Sequence, residues 1–351
     1  MSASTAAGAT TIRSARPEDL PGVLELLRVS MARERRFPFD ERVWRWKHEA
    51  NPAGPSPCLV AVTPEGRVVG LRAFLRWEWR RGGGLLRAVR AVDTAVHPDW
   101  RGAGLFTRLT RDLLTAVQAE GVDFVFNTPN GQSLPGYLKM GWRPVGRMTL
   151  WVKPLRPGAL LRGGLARLGG RSWPGSASGP GSAAGDAGRS VGEVLDDPRA
   201  LALLDALAAR DADRLETRRT AAFLRWRYAD TPTATYRCWF DEAGRALAIA
   251  RSGLRFGLRE GLACELLHAD TADGVRAAAA ALRSLARDLA ADYLLAAAPA
   301  RSPTGAALAL AGFAPLLGAS PLLTFRPLRE SLDHLAATRA WRLSAGDLEL
   351  F

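Results

Sequence analysis

The chain has 351 residues, is 47% hydrophobic and carries a formal net charge of +13. That length suits about two domains with ample material for cores, and no run of about 18 apolar residues appears, so no membrane span is expected. Met1–Thr11 lacks the basic and apolar regions of a secretory leader, and Cys58, Cys238 and Cys264 are unclustered, so a reduced, cytoplasmic setting without a metal site is expected.

The first half opens with a strand over Thr11–Ser14 and a helix from Glu18, with Leu20, Val23, Leu24, Leu27 and Met31 at core spacing. Asp40 can cap a helix over Glu41–Glu49, which Asn51-Pro52 ends. Cys58–Val62 and Val68–Trp77 read as strands. Gly82-Gly83-Gly84 turns the chain towards a further strand, Ala91–Val96, closed by Pro98. A tight turn, Arg101-Gly102-Ala103-Gly104, precedes a helix with Leu105, Leu109, Leu113, Leu114 and Val117 on one face, stopped by Gly121. Val122–Phe126 is a buried strand. A Pro/Asn/Gly loop then leads to a short helix carrying Tyr137, and Trp142, Thr149, Trp151 and Val152 are expected to supply the closing strands of this first domain.

Strand, glycine turn and helix place free backbone N–H groups at a helix N-terminus, where the helix dipole favours negative charge. The expected guest is a phosphate or pyrophosphate. No Lys-Ser/Thr follows the glycines and the third glycine of the dinucleotide fingerprint is missing, so neither nucleotide motif is present.

The arrangement resembles the GNAT superfamily of acyl-CoA-dependent N-acyltransferases. Its first signature, Arg/Gln-x-x-Gly-x-Gly/Ala, reads here Arg101-Gly102-Ala103-Gly104-Leu105-Phe106, with Phe106 departing from the usual small residue. Its second reads Asn130, Tyr137 and Gly141-Trp142. The resemblance implies a mixed α/β (α+β) sheet and an acetyl-CoA or other acyl-CoA donor. It also implies pantetheine pairing at Ala95, Val96 and His97. The pyrophosphate would be held by the amides of Arg101, Gly102, Ala103, Gly104, Leu105 and Phe106 with the Thr107 hydroxyl, and Asn130 belongs to the same donor site.

Residues 157–190 are rich in Gly, Ser, Ala and Pro and read as a flexible linker. Beyond it the first half repeats. Arg45-Trp46-Lys47 matches Arg225-Trp226-Arg227, Pro52 matches Pro232, and Cys58 matches Cys238. Gly141-Trp142-Arg143-Pro144 matches Gly312-Phe313-Ala314-Pro315, and Lys153-Pro154-Leu155 matches Arg326-Pro327-Leu328. Two GNAT folds in tandem are therefore expected: a catalytic domain over 1–156 and, after the linker, a degenerate one over 191–351. The second copy reads Leu267–Val275 where the first has its glycine turn, and Leu308 where the first has Tyr137.

Charge follows the same division, with +10 in 1–156, +3 in 157–190 and zero in 191–351. A basic first half suits an anionic partner. Coenzyme A fits, as does an acidic acyl carrier protein; no basic helix or stacking platform points to nucleic acid. All basic residues but Lys47, Lys139 and Lys153 are arginine, a bias of GC-rich bacterial genomes.

Acyl transfer to an amine needs the nucleophile deprotonated and the leaving thiolate protonated. Tyr137 is the expected acid, since a phenol is close to a thiol in acidity. Three groups stand open as base or as bystanders: Asp93 on the strand feeding the cradle, His97 beside Pro98, and the α-carboxylate of Phe351. The last rests on resemblance to multi-GNAT acetyltransferases of the enhanced-intracellular-survival type, which place a C-terminal carboxylate in the active site. The acceptor is a small-molecule or peptide amine. A carrier-bound or long-chain donor, and a non-catalytic effector-binding protein, are the competing readings.

Overall fold

In the computed structural model the described residues are 10–30, 40–158, 188–210, 213–255, 257–316 and 320–348. They fall into two compact units. Unit 1 takes in the described parts of Met1–Trp79, Leu86–Pro144 and Thr324–Ala336; unit 2 those of Arg80–Leu85, Val145–Leu323 and Ala337–Phe351. No described helix is long and apolar enough to cross a membrane.

Unit 1 is a mixed sheet with helices on both faces. Its strands are β1 (Thr11–Ser14), β2 (Cys58–Val62), β3 (Val68–Arg81), β4 (Gly84–Val96), β5 (Phe124–Asn127), β6 (Arg143–Arg147) and β15 (Leu322–Pro327), in the order β1-β2-β3-β4-β5-β15-β6. Helix α1 (Leu20–Ser30) buries Val23, Leu24, Leu26 and Leu27 on one face, with Val60, Leu71 and Ala95. Helix α3 (Leu105–Ala119) buries Leu105, Leu109, Leu113, Leu114 and Val117 on the other, with Val69, Val89 and Val125. Those are the positions that 3.6-residue spacing selects. Between α1 and β2, Asp40 Oδ1 accepts from Val43 N at 2.8 Å and starts α2 (Glu41–Trp44). The helix then widens into a π turn over Arg45–Glu49, where Ala50 N donates to Arg45 O at 2.9 Å.

The central strands β4 and β5 run parallel but pair only at Ala88/Phe124, Val89/Val125 and Arg90/Phe126. Asp123 locks the start of this pairing: its N–H donates to Arg87 O and its Oδ2 accepts from Arg87 N, both at 2.7 Å. Beyond Arg90 and Phe126 the two strands part, which leaves the end of β4 without a β5 partner.

Unit 2 repeats the plan. Its sheet runs β14-β7-β13-β12-β11-β10-β8, from β7 (Leu150–Pro154), β8 (Arg189–Ser190), β10 (Arg237–Phe240), β11 (Ala246–Arg255), β12 (Leu258–His268), β13 (Tyr293–Ala297) and β14 (Ala314–Leu316). A second π turn spans Arg225–Ala229. Strands β12 and β13 pair in parallel only from Glu260/Tyr293 to Leu262/Leu295. Asp292 repeats the lock, bonding Arg259 O and N at 2.7 and 2.8 Å.

One expectation is corrected. Trp151 and Val152 do not close the first sheet; as part of β7 they pair with Ala296 and Leu295 of β13 in unit 2. In exchange, Thr324, Phe325, Arg326 and Pro327 of β15 pair with β5 in unit 1. The matched residues cross with their strands. Lys153 Nζ donates to Ala311 O at 2.6 Å and stands 5.9 Å from the Phe313 ring, while Arg326 stands 5.5 Å from the Trp142 ring. Each Gly-aromatic pair thus meets the cation of the other copy's closing segment. Met31, residues 159–187 of the expected linker, and Phe351 lie outside the described residues.

Candidate active site

The glycine turn is built as the spacing requires. Gly102 and Gly104 take φ of 81° and 75°, values that cost a side-chain-bearing residue strain. Gly104 is the N-cap of α3 and no side chain caps it. Thr107 N and Arg108 N already bond to Gly104 O at 3.0 Å, so the amides of Leu105 and Phe106 precede the first intrahelical donors. The Arg101 guanidinium braces the turn, donating to Val96 O and Ser30 O at 3.3 and 3.4 Å. His97 is held by Arg67, Nη2 to Nε2 at 2.7 Å, and its N–H donates to Val69 O on β3. Ala95 and Val96 lie on the part of β4 that has left β5.

Asn130 starts the helix α4 (Leu134–Lys139) that carries Tyr137. Its Oδ1 accepts from Gln132 N, Ser133 N and Ser133 Oγ at 3.1, 2.9 and 3.0 Å. An asparagine suits such a turn because its side chain mimics a backbone acceptor. Tyr137 is buried between Phe106 and Trp142, with ring centroids at 5.7 and 5.0 Å. The departure at Phe106 has a local reason: a Cβ on Gly136 would stand 3.2 Å from the Phe106 ring, so glycine there makes room for it.

Two charged clusters flank β4 beyond its last pairing with β5, and the sequence reading found only one member of each. The first centres on Asp93, the only non-glycine residue at positive φ (36°) among those described. Lys47 Nζ lies 2.6 Å from its Oδ2 and His48 Nε2 2.8 Å from the same atom. Lys47 and His48 are 7% and 3% exposed. Burial opposes the charge on Asp93, but Lys47 and His48 together prevail and hold the carboxyl well below the usual carboxylate range. A carboxyl so placed is a weak base. Burial pushes the His48 imidazole below its ordinary value, against Asp93, so it is neutral and donates through Nε2–H. Burial also pushes the nearby Cys58 thiol up to about 12.

The second cluster centres on Arg72 of β3, which is 0% exposed. Its Nη1 donates to the Tyr137 hydroxyl at 3.0 Å and to Thr94 Oγ1. The guanidinium stands 4.8, 5.7 and 5.4 Å from the rings of Phe74, Phe106 and Tyr137. One signal could have found it: a lone arginine inside the apolar run Val68–Leu75. No such signal marked Lys47 and His48.

Residues 11–145 match the acetyltransferase (GNAT) domain family. A GNAT domain thus occupies residues 11–145. A stretch of 82 residues is 38% identical to the glucosamine 6-phosphate N-acetyltransferase of Trypanosoma brucei brucei, covering 23% of this chain and 54% of that protein. The chain thus spans about half the length of the curated relative it matches. The GCN5-related N-acetyltransferase of Anabaena variabilis superposes with a TM-score of 0.61 at 13% identity, over 91% of this chain and 73% of that one. The N-myristoyltransferase of Saccharomyces cerevisiae, solved with bound myristoyl-CoA, gives 0.55 at 14%, over 90% and 82%. At these identities the likeness is one of fold, and it extends across both units.

Among the described residues of unit 2 no glycine turn stands at the start of the matching helix. Helix α8 (Ala272–Asp288) is capped by its own Thr271, whose side chain accepts from Gly274 N at 3.1 Å, closing the helix end that α3 leaves open. A cavity of ≈ 290 Å³ in this unit is lined by Glu265 and His268 of β12, Leu282 of α8, and Thr304 and Leu308 of α9 (Pro303–Leu310).

Proposed function

We propose that the chain is an acyl-CoA-dependent N-acyltransferase with one working site, in unit 1, using acetyl-CoA as donor and a small primary amine as acceptor. The observation that carries this reading is the combination, in one unit, of an uncapped glycine N-terminus on α3 and a parallel strand pair that parts beyond Arg90 and Phe126 with Tyr137 set beside the parted end. The cradle amides would take the pyrophosphate. The free edge of β4 at Ala95–His97 would pair with the pantetheine arm. The amine attacks the thioester carbonyl carbon and loses a proton to solvent water. As the C–S bond breaks, the Tyr137 O–H protonates the sulfur. Asp93 serves to anchor the π turn to β4, since both its strong donors come from that turn.

Calorimetric titration of acetyl-CoA tests the donor site. Wild type is expected to bind about one equivalent, and Gly104→Trp to bind about tenfold more weakly or worse, because an indole there covers the cradle amides. Well-folded wild type that takes up no acetyl-CoA would overturn the reading. Glucosamine 6-phosphate, the substrate named by the relative, is the first acceptor to try in an amine panel with CoA release as readout.

A further inference from the structure

The molecule contains its own control for which polar groups belong to the fold and which to the site. The Asp123 and Asp292 locks align Arg87 with Arg259, and counting along β4 and β12 from them sets Asp93 opposite Glu265 and Thr94 opposite Leu266. The ladders β2–β3 and β10–β11 match Cys58/Ala73 to Cys238/Ile249, which sets Arg72 opposite Ala248. The repeated Gly-aromatic pair sets Tyr137 opposite Leu308.

Across this alignment the two charged clusters behave differently. The link from π turn to β4 is kept: His48–Asp93 at 2.8 Å in unit 1 becomes Tyr228–Glu265 at 2.8 Å in unit 2. It is present with or without a cradle, so it is part of the fold. The other cluster is not kept. Where unit 1 has Arg72, Thr94 and Tyr137, unit 2 has Ala248 and Leu308 within one apolar core and the half-buried Leu266 packed against it. The fold therefore does not need a guanidinium there.

A buried arginine is costly unless its charge and donors are met. Among the described residues no carboxylate pairs with Arg72, and its Nε and Nη2 are buried without a hydrogen-bond partner. Among the described residues, three aromatic faces and two hydroxyl oxygens stand against its guanidinium. Of the groups it contacts, the one that acquires negative charge during the proposed reaction is the Tyr137 oxygen.

We propose that Arg72 is a positioning residue for Tyr137: by donating to the phenol oxygen it turns the phenolic O–H away from β3 towards the leaving sulfur, and it stabilises the phenolate left after transfer. This rests on the acyltransferase reading above. A hydroxyl that accepts from Nη1 has its one proton free to point elsewhere. In the step, the amine nitrogen bonds to the acyl carbon and the C–S bond breaks. The sulfur takes the electron pair of that bond and the proton from Tyr137. The phenolate stands against the guanidinium until solvent water returns a proton to it. The charge that is unpaired by any carboxylate before the reaction is thus paired during it, so the stabilisation favours the transition state over the ground state.

The test crosses Arg72→Met and Arg72→Lys with Tyr137→Phe. The readout is kcat and KM for acetyl-CoA with an amine found in the acceptor screen. Arg72→Met in the wild-type background is expected to lower kcat roughly ten- to hundredfold with KM nearly unchanged, and Arg72→Lys to recover part of the loss. In the Tyr137→Phe background the same substitution is expected to change kcat less than about twofold, since there is no phenol left to orient. Losses that multiply across the two backgrounds would overturn the role of Arg72 while leaving the acyltransferase reading intact. Wild type that neither binds acetyl-CoA nor turns over would overturn that reading, and this inference with it. Should Arg72→Met fail to fold, as judged by its thermal melt, Arg72→Lys alone decides: it keeps the buried charge, and its kcat must fall in the wild-type background and not in Tyr137→Phe.

Discussion

Tyr137→Phe is expected to lower turnover by roughly 10²–10³-fold, within the range that a positioned general acid contributes. The ring stays between Phe106 and Trp142, so packing is preserved, and acetyl-CoA affinity is expected to stay within about threefold of wild type because the cradle is untouched. The variant also removes the acceptor of Arg72 Nη1, which leaves Thr94 as that guanidinium's hydrogen-bond partner among the described residues. A stability loss of about 1–3 kcal/mol should accompany the kinetic effect. Steady-state kinetics beside a denaturant titration separates the two: turnover close to wild type in a folded variant would remove Tyr137 from the chemistry.

Lys47→Met is the substitution expected to cost most in stability, roughly 3–5 kcal/mol, because it strands a buried carboxylate beside a neutral imidazole. A methionine fills nearly the same volume, so little of that loss would come from a cavity. The same cluster makes unit 1 sensitive to acid. His48 is held below its ordinary value by burial, so on acidification the unfolded chain takes up a proton at about pH 6.5 that the folded chain refuses. Stability is therefore full above about pH 6.5 and declines below it. Asp93, held low by Lys47 and His48 against its burial, has the same sign. Its contribution is complete above about pH 3.9 and is lost as pH falls towards its folded value. Urea titrations at pH 8 and pH 5 should show wild type losing stability at the lower pH, and His48→Gln losing less. Equal stability of wild type at both would mean that His48 is not kept neutral.

The parts of the site that the sequence disclosed are those set by neighbours in the chain. A turn that needs positive φ twice in three residues must use glycine, so Gly102 and Gly104 announce the cradle, and the 3.6-residue spacing of Leu105, Leu109 and Leu113 announces the helix behind it. Asn130 and Tyr137 are tied by one Asx turn and one short helix. The parts that stayed hidden are set across the sheet. Lys47 and His48 lie in a π turn that no local pattern announces, and both reach one Asp93 oxygen. Arg72, Thr94 and Tyr137 meet from three separate elements, and no local pattern fixes that meeting. The destination of the closing strands was hidden for another reason. Lys153-Pro154-Leu155 and Arg326-Pro327-Leu328 suit either sheet, so proximity in sequence suggested the wrong one.

That crossing of β7 and β15 also sets a timetable for the newborn chain. Thr324 meets Asn127 across 197 residues, so the first sheet cannot be finished when its own helices and central strands leave the ribosome. At roughly 5–20 residues per second, the interval is about 10–40 s. During that time the β5 edge, with Phe124 and Phe126 on it, waits unpaired for β15. Such an edge invites pairing with other chains. The late strand acts as a seal: unit 1 is closed only after residues 145–323 of unit 2 have been made.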